Sequence, residues 1–226
     1  MLILTCEHAS KNIPEQYRQY FTNASDDLAS HKGWDIGAGK VFDVLAEKFS
    51  CFAIKGEYSR LLIELNRSLK AKDLFSVYSK QLSDIEKEAL IQNYYQPYID
   101  AVQQQIKLGL SQGETVLHLS IHSFTPKLNG EVRNCDIGLL YDSRRSTEKK
   151  FCADLQKAIL QYAPDYIIRK NYPYRGDADG LTTMCRKLFP ENYIGTEIEI
   201  NQKLLTTSNE ALKIADILFD SISKSI

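Results

Sequence analysis

What the chain lacks removes several classes at once. No stretch of the 226 residues approaches the about 18 consecutive apolar residues of a membrane-spanning helix. No basic excess exists either: 28 Lys and Arg stand against 29 Asp and Glu, interspersed, for a formal net charge of −1. A nucleic-acid or anionic-membrane footprint is therefore not expected. Cysteine is sparse, odd in number at five, and never in a CxxC spacing. Most of the five sit in apolar runs, where cysteine packs as a small hydrophobe, so they read as reduced thiols of a cytoplasmic protein. The opening "MLILTCEHAS" has no basic segment before its apolar run, which is too short for a signal peptide. Repeats, low-complexity tracts and linkers are also missing. With 43% hydrophobic and 25% charged residues, the chain can bury a full core, and one domain over residues 1–226 is expected, with a small polar molecule as partner. Oligomeric state is left open.

What is present alternates between strand-like and helix-like segments, the pattern of an α/β layer fold. Strands are expected at Leu2 to Cys6, Cys51 to Ile54, Arg60 to Leu65, Thr115 to Ile121, Cys135 to Tyr141, Tyr166 to Arg169 and Tyr193 to Ile200. Near-helical apolar spacing marks Gly33 to Phe49, and "SDIE" at Ser83 has the form of a capping box opening a long helix towards Leu110, divided or kinked by Pro97. Further helices are expected at Glu148 to Tyr162, Leu181 to Leu188 and Asn209 to Ile222. The fold class is α/β, a mixed and mostly parallel sheet flanked by helices on both faces.

Residues of catalytic type gather at the expected strand ends, where open α/β sheets bind their ligands. His8 follows the first strand and His122 the fourth; Asn66 and Arg67 follow the third, and Glu199 closes "YIGTEIEI". Two imidazoles, a guanidinium and a carboxylate form the inventory of a metallohydrolase. Period-two alternation puts His118, Ser120 and His122 on one face of their strand and Leu117, Leu119 and Ile121 on the other. That face either lines a polar cavity or wastes a buried surface. Glu197 and Glu199 likewise share a face, and because an unpartnered buried carboxylate is costly, one of them is expected to meet a cation or metal.

The blocks "LTCEHASKNIP", "SHKGWDIGA", "YSRLLIELNRS", "LSIHSFTPKLNGEVRNCDIGLLYD" and "EIEINQ" together resemble the N-formylglutamate amidohydrolase family, in the branch of short members. They run in family order over nearly the whole chain, and the long central block is the specific one. The family is in turn similar to the zinc carboxypeptidase and aspartoacylase group. The resemblance implies a phosphorylase/hydrolase-like fold, one zinc ion, and hydrolysis of the amide of a small N-acyl amino acid, N-formyl-L-glutamate by the family's name. It assigns His8 and His122 as metal ligands and Glu199 as the catalytic carboxylate. Carboxypeptidase-like enzymes take a further ligand from His-x-x-Glu, but Lys11 stands three residues after His8. The third ligand is therefore expected from Asp35 in "GWDIGA", with Glu7 and His31 as alternatives. "ELNRS" is similar to the element that holds a substrate carboxylate, which gives Asn66 and Arg67 that role, with Arg60 or Arg133 polarising the carbonyl or holding a second carboxylate.

Other readings stand beside these. A carboxypeptidase or aminoacylase with another substrate would use the same residues, and Lys11 in place of a ligand motivates a non-catalytic protein that binds a small acid. His118 is expected to be structural. Glu197 is expected to pair with a core arginine, and Arg144 and Arg145 to be solvated turn charges. The segment Pro173 to Gly180 is expected to lie near the site without ligating, and Tyr94, Tyr95 and Tyr98 to be packing residues.

Overall fold

The computed structural model describes residues 1–226. Eight strands form: β1 Leu2–Cys6, β2 Phe52–Lys55, β3 Val116–Phe124, β4 Lys127–Leu128, β5 Glu131–Val132, β6 Ile137–Leu140, β7 Ile168–Lys170 and β8 Tyr193–Asn201. β4 and β5 pair as a small hairpin, while the other six make one sheet in the order β2-β1-β3-β8-β6-β7. Within it β2, β1, β3 and β8 run parallel, and β6 pairs antiparallel to β8. The fold is the expected mixed, mostly parallel sheet.

Seven helices cover the sheet: α1 Ser25–Ala29, α2 Ala38–Phe49, α3 Asp84–Leu90, α4 Gln96–Ser111, α5 Ser146–Tyr162, α6 Leu181–Leu188 and α7 Ser208–Ser223. The alternation of the central strands sorts their side chains into two apolar layers. Leu4, Leu119, Ile121, Ile198 and Ile200 face α2, α5 and α7. Ile3, Val116 and Tyr193 face the opposite layer with Ile99, Val102 and Ile106 of α4 and Leu181 and Cys185 of α6. His118 lies on that second face, fully buried, hydrogen-bonded to Thr5 Oγ1 (2.9 Å) and Tyr193 Oη (2.8 Å), as a structural histidine should be.

The capping box at Ser83 forms, and α3 leads through a single π-helical stretch at Ile91–Tyr95 into α4, where Pro97 occupies the first turn. Proline has no N–H to donate back into the preceding turn, and the π-helical stretch lies directly before it, so the helical run continues past Pro97 with altered winding. Three expectations are corrected. The segment from Arg60 to Leu65 is a loop: it joins no strand of the sheet, and Glu64 N–H donates to Leu74 O (2.9 Å). Its apolar residues Leu62, Ile63 and Leu65 are buried with residues of α3 and α4 without a ladder. The helix expected from Gly33 begins only at Ala38, after Gly37 at φ 83°, a left-handed conformation natural to glycine. Arg145 is not a solvated turn charge, since its guanidinium donates to Pro190 O (3.0 Å) and Tyr193 O (2.8 Å); Arg144 is exposed and pairs with Asp142. No helix is long and apolar enough to cross a membrane, and all five cysteines are free.

Candidate metal centre

β1, β3 and β8 end on the same edge of the sheet, and the site is built there. His8 comes two residues after β1, as expected. His122 lies inside β3 rather than after it, and Glu199 lies within β8 as expected; the two stand opposite one another in the β3–β8 register. A strand fixes a side chain's direction more firmly than a loop does: β8 pairs with β3 at His122, and Glu199 is held on both sides, by β3 and β6. Asp35 arrives from the loop before α2, whose backbone is tied to the first loop by Asp35 N–H donating to His8 O (2.9 Å).

Asp35 Oδ2 stands 2.8 Å from His122 Nδ1 and 3.4 Å from His8 Nδ1. One donor atom from each of the three residues lies within 4.8 Å of the others, and all three residues are buried. The other nitrogen of each imidazole is occupied. His8 Nε2 bonds to Glu64 Oε1. His122 Nε2 donates to Ser120 Oγ (2.8 Å) and lies 2.9 Å from Glu7 Oε2, which also accepts from Ser120 Oγ (2.5 Å). Each ring therefore has its Nε2 held by a buried carboxylate and its Nδ1 directed at Asp35. Two imidazoles and a carboxylate converging in this way suit a divalent cation of intermediate softness, and the outer carboxylates are the partners that such ligands use.

The charges support the same arrangement. Burial raises the pKa of Asp35, but His8 and His122 outweigh it and hold the carboxyl well below its usual range. Glu7 is also opposed by burial, yet its bonds to His122 and Ser120 bring it to about 2. Glu64 is pulled down by Arg60 and His8 against burial. Glu199 behaves oppositely: burial, with added repulsion from Asp35 and Glu197, pushes it up to about 8 against the pull of His122. Its Oε2 is buried without any hydrogen-bond partner.

These groups open into a cavity of about 380 Å³ lined by His8, His31, Asp35, His122 and Glu199, and by Arg60, Asn66, Arg67 and Glu197 beyond them. Arg67 Nη1 donates to Asn66 O (2.8 Å) and Asp179 O (3.2 Å), and its Nε pairs with Asp73 (3.1 Å). Asn66 Oδ1 accepts from Leu181 N–H (2.6 Å), fixing the start of α6 against the loop. Arg60 lines the cavity but is bound to Glu64 (2.6 Å) and lies near Asp35 (3.5 Å). Arg133 does not line the cavity; it reaches its rim through Tyr174, donating to the hydroxyl at 3.1 Å and stacking 5.1 Å from the ring centroid. Tyr174, Arg175 and Asp179 of the segment 173–180 complete the wall.

Several expectations change here. Glu7 lies beneath His122 rather than among the candidate ligands, and His31 lines the cavity outside the three-residue cluster. Glu197 has no arginine partner: the core arginine, Arg186, pairs with Glu148 (2.9 Å), and Glu197 Oε1 accepts from Thr182 Oγ1 (2.8 Å). Neither Glu197 nor Glu199 meets a cationic side chain. Lys11, whose position suggested a missing ligand, sits 6.0 Å from the Trp34 ring centroid, outside the cavity; Asp35 stands where the cluster needs a carboxylate. Glu64 was missed because its segment reads as a strand. The available signal was a carboxylate inside the apolar run "LLIEL", which burial obliges to find a partner.

An α/β sheet that brings two histidines and an aspartate together at the carboxyl ends of its parallel strands, beside an unpartnered glutamate, has the form of a hydrolytic centre. The chain belongs to the N-formylglutamate amidohydrolase family, which it matches over residues 1–206, and so to hydrolases of non-peptide C–N bonds. A solved structure of the gene product Atu2144 from Agrobacterium tumefaciens is 31% identical, with a TM-score of 0.84 over 99% of this chain and 89% of that one. N-formylglutamate amidohydrolase from Ralstonia eutropha JMP134 shares the fold at 15% identity, with a TM-score of 0.75 over 99% of this chain and 92% of that one. Among curated proteins, none matches.

Proposed function

We propose that the protein is a zinc-dependent amidohydrolase of small N-acyl amino acids, for which N-formyl-L-glutamate is the reference substrate. The observation that carries this reading is the convergence of His8 Nδ1, His122 Nδ1 and Asp35 beside the orphaned Glu199 carboxyl. His8, Asp35 and His122 would hold the ion, and these three ligands leave room for the substrate side of its coordination. When bound, zinc supplies Lewis acidity towards water and the amide carbonyl.

The chain's own residues supply the remainder. Glu199 accepts a proton from the attacking water, holds it, and returns it to the leaving nitrogen as the C–N bond breaks and the carbonyl carbon keeps the water oxygen. A pKa near 8 suits this exchange, since the carboxyl can both take and release a proton near neutrality. Arg67, positioned by the carbonyls of Asn66 and Asp179, offers its remaining N–H groups to the α-carboxylate of the substrate. Arg60 acts through Glu64 and Asp35, to which its charge is committed, rather than as a free clamp.

The test is formate release from N-formyl-L-glutamate and a panel of N-acyl amino acids by protein loaded with zinc. Hydrolysis that stops on chelation and returns with zinc is expected. Loaded protein that leaves every N-acyl amino acid intact would refute the reading.

A further inference from the structure

Each arginine that lines the cavity already has a carboxylate partner, whereas Glu197 has no cationic one. Arg60 is paired with Glu64 (2.6 Å), Arg67 with Asp73 (3.1 Å) and Arg175 with Asp177 (2.8 Å). Asp179 Oδ2 accepts from Ser68 N–H and Oγ–H, both at 3.0 Å. Glu197 lines the same cavity and has a single neutral partner, the Thr182 hydroxyl. A carboxylate in a partly desolvated wall gains little from one hydroxyl and much from a cation.

Its position is set by the strand. Glu197 and Glu199 are alternate residues of β8 on one face, so their backbones stand about 6.6 Å apart along the strand. Gly180 packs directly over this region: a Cβ there would come within 2.9 Å of Asn66 Oδ1 and 3.4 Å of Glu197 Oε1. Glycine thus lets the wall close beside Asn66 while leaving the Glu197 carboxylate facing the cavity.

We infer that Glu197 is a specificity-determining residue that receives a substrate ammonium, so that the protein acts on α-N-acylated diamino acids such as ornithine or lysine. The inference rests on the amidohydrolase reading and narrows its side chain. With the acyl group at Glu199 and the α-carboxylate at Arg67, a chain of three or four methylenes carries its ammonium along β8 to Glu197. The second oxygen of Glu197 accepts it while the first keeps Thr182.

The experiment has two arms, each on wild type and Glu197→Gln, which retains an acceptor for Thr182. Zinc-loaded protein is assayed for kcat/KM on Nα-formyl-ornithine and on Nα-formyl-norvaline, its uncharged counterpart. Free ornithine and norvaline are titrated calorimetrically, independent of turnover. Wild type is expected to favour the charged member of each pair by about tenfold or more, and Glu197→Gln to bring both ratios close to one. Equal handling of the pair by wild type, or an undiminished ratio in Glu197→Gln, overturns the inference. Should no N-acyl amino acid of the panel be cleaved while ornithine selectivity persists and depends on Glu197, the hydrolase reading fails and the ammonium site stands. Cleavage without selectivity does the reverse. If Glu197→Gln does not fold, the wild-type ratios alone decide, a ratio near one being fatal.

Discussion

His8 and His122 face the same carboxylate oxygen of Asp35 with their Nδ1 atoms, and each has its Nε2 fixed by a different buried glutamate, Glu64 for one and Glu7 for the other. Their ring centroids are 5.0 Å apart. Outer carboxylates of this kind orient imidazole ligands and raise their basicity. Glu64→Gln and Glu7→Gln are each expected to weaken zinc affinity about 10- to 100-fold. Competition against a chromophoric chelator measures this, and unchanged affinity in folded variants would reduce both glutamates to packing roles.

Glu199 must be ionised to accept a proton, and burial holds its pKa near 8. In the account above, kcat/KM rises with pH through a limb lying well above the usual carboxylate range, though a bound cation draws it downward. Glu199→Gln is expected to lower kcat about 100-fold or more while zinc content is retained. A rate limb at ordinary carboxylate pH, or an active Glu199→Gln, would remove the residue from proton transfer.

The same shift has a stability consequence in metal-free protein. Glu199 has a folded pKa of about 8 against an ordinary 4.5, so between these values the folded state binds more protons than the unfolded one. Its contribution is fully present below pH 4.5 and is lost as pH rises towards 8. Glu199→Gln should therefore gain thermal stability relative to wild type as pH is raised from 5 to 8, by about 10 °C. Melting curves showing a constant difference across that range would contradict the assignment.

His118 sits on the same strand face as His122 but is bonded only to Thr5 and Tyr193, and burial lowers its pKa to about 4, keeping the ring neutral. His118→Leu strands two buried hydroxyls, at a cost of about 3 kcal/mol. Denaturant unfolding should show that loss, while metal content stays at the wild-type level. Loss of metal with little loss of stability would mean that the two histidines have been assigned the wrong way round.

Much of this arrangement can be read from the sequence, for physical reasons. The helices α5, α6 and α7 and the central strands follow from apolar period, and His8, His122 and Glu199 were visible because sheet chemistry collects at strand ends. Asp35 needed the family resemblance, since a carboxylate in a loop carries no periodic signal. Glu64 was hidden by its surroundings: the apolar run in "RLLIEL" reads as a strand, yet the segment is buried as a loop and joins no ladder. The pairing of Arg186 with Glu148, which leaves Glu197 free, joins residues 38 positions apart and had no local trace.

Metal content tests the central claim most directly. Wild type and His122→Ala, purified without a metal-binding tag and without added metal, are to be measured by elemental analysis. The account predicts close to one zinc per chain in wild type and its loss in His122→Ala. Protein that carries no metal and fails to take up added zinc, or a variant that retains zinc as fully as wild type, would contradict the centre formed by His8, Asp35 and His122.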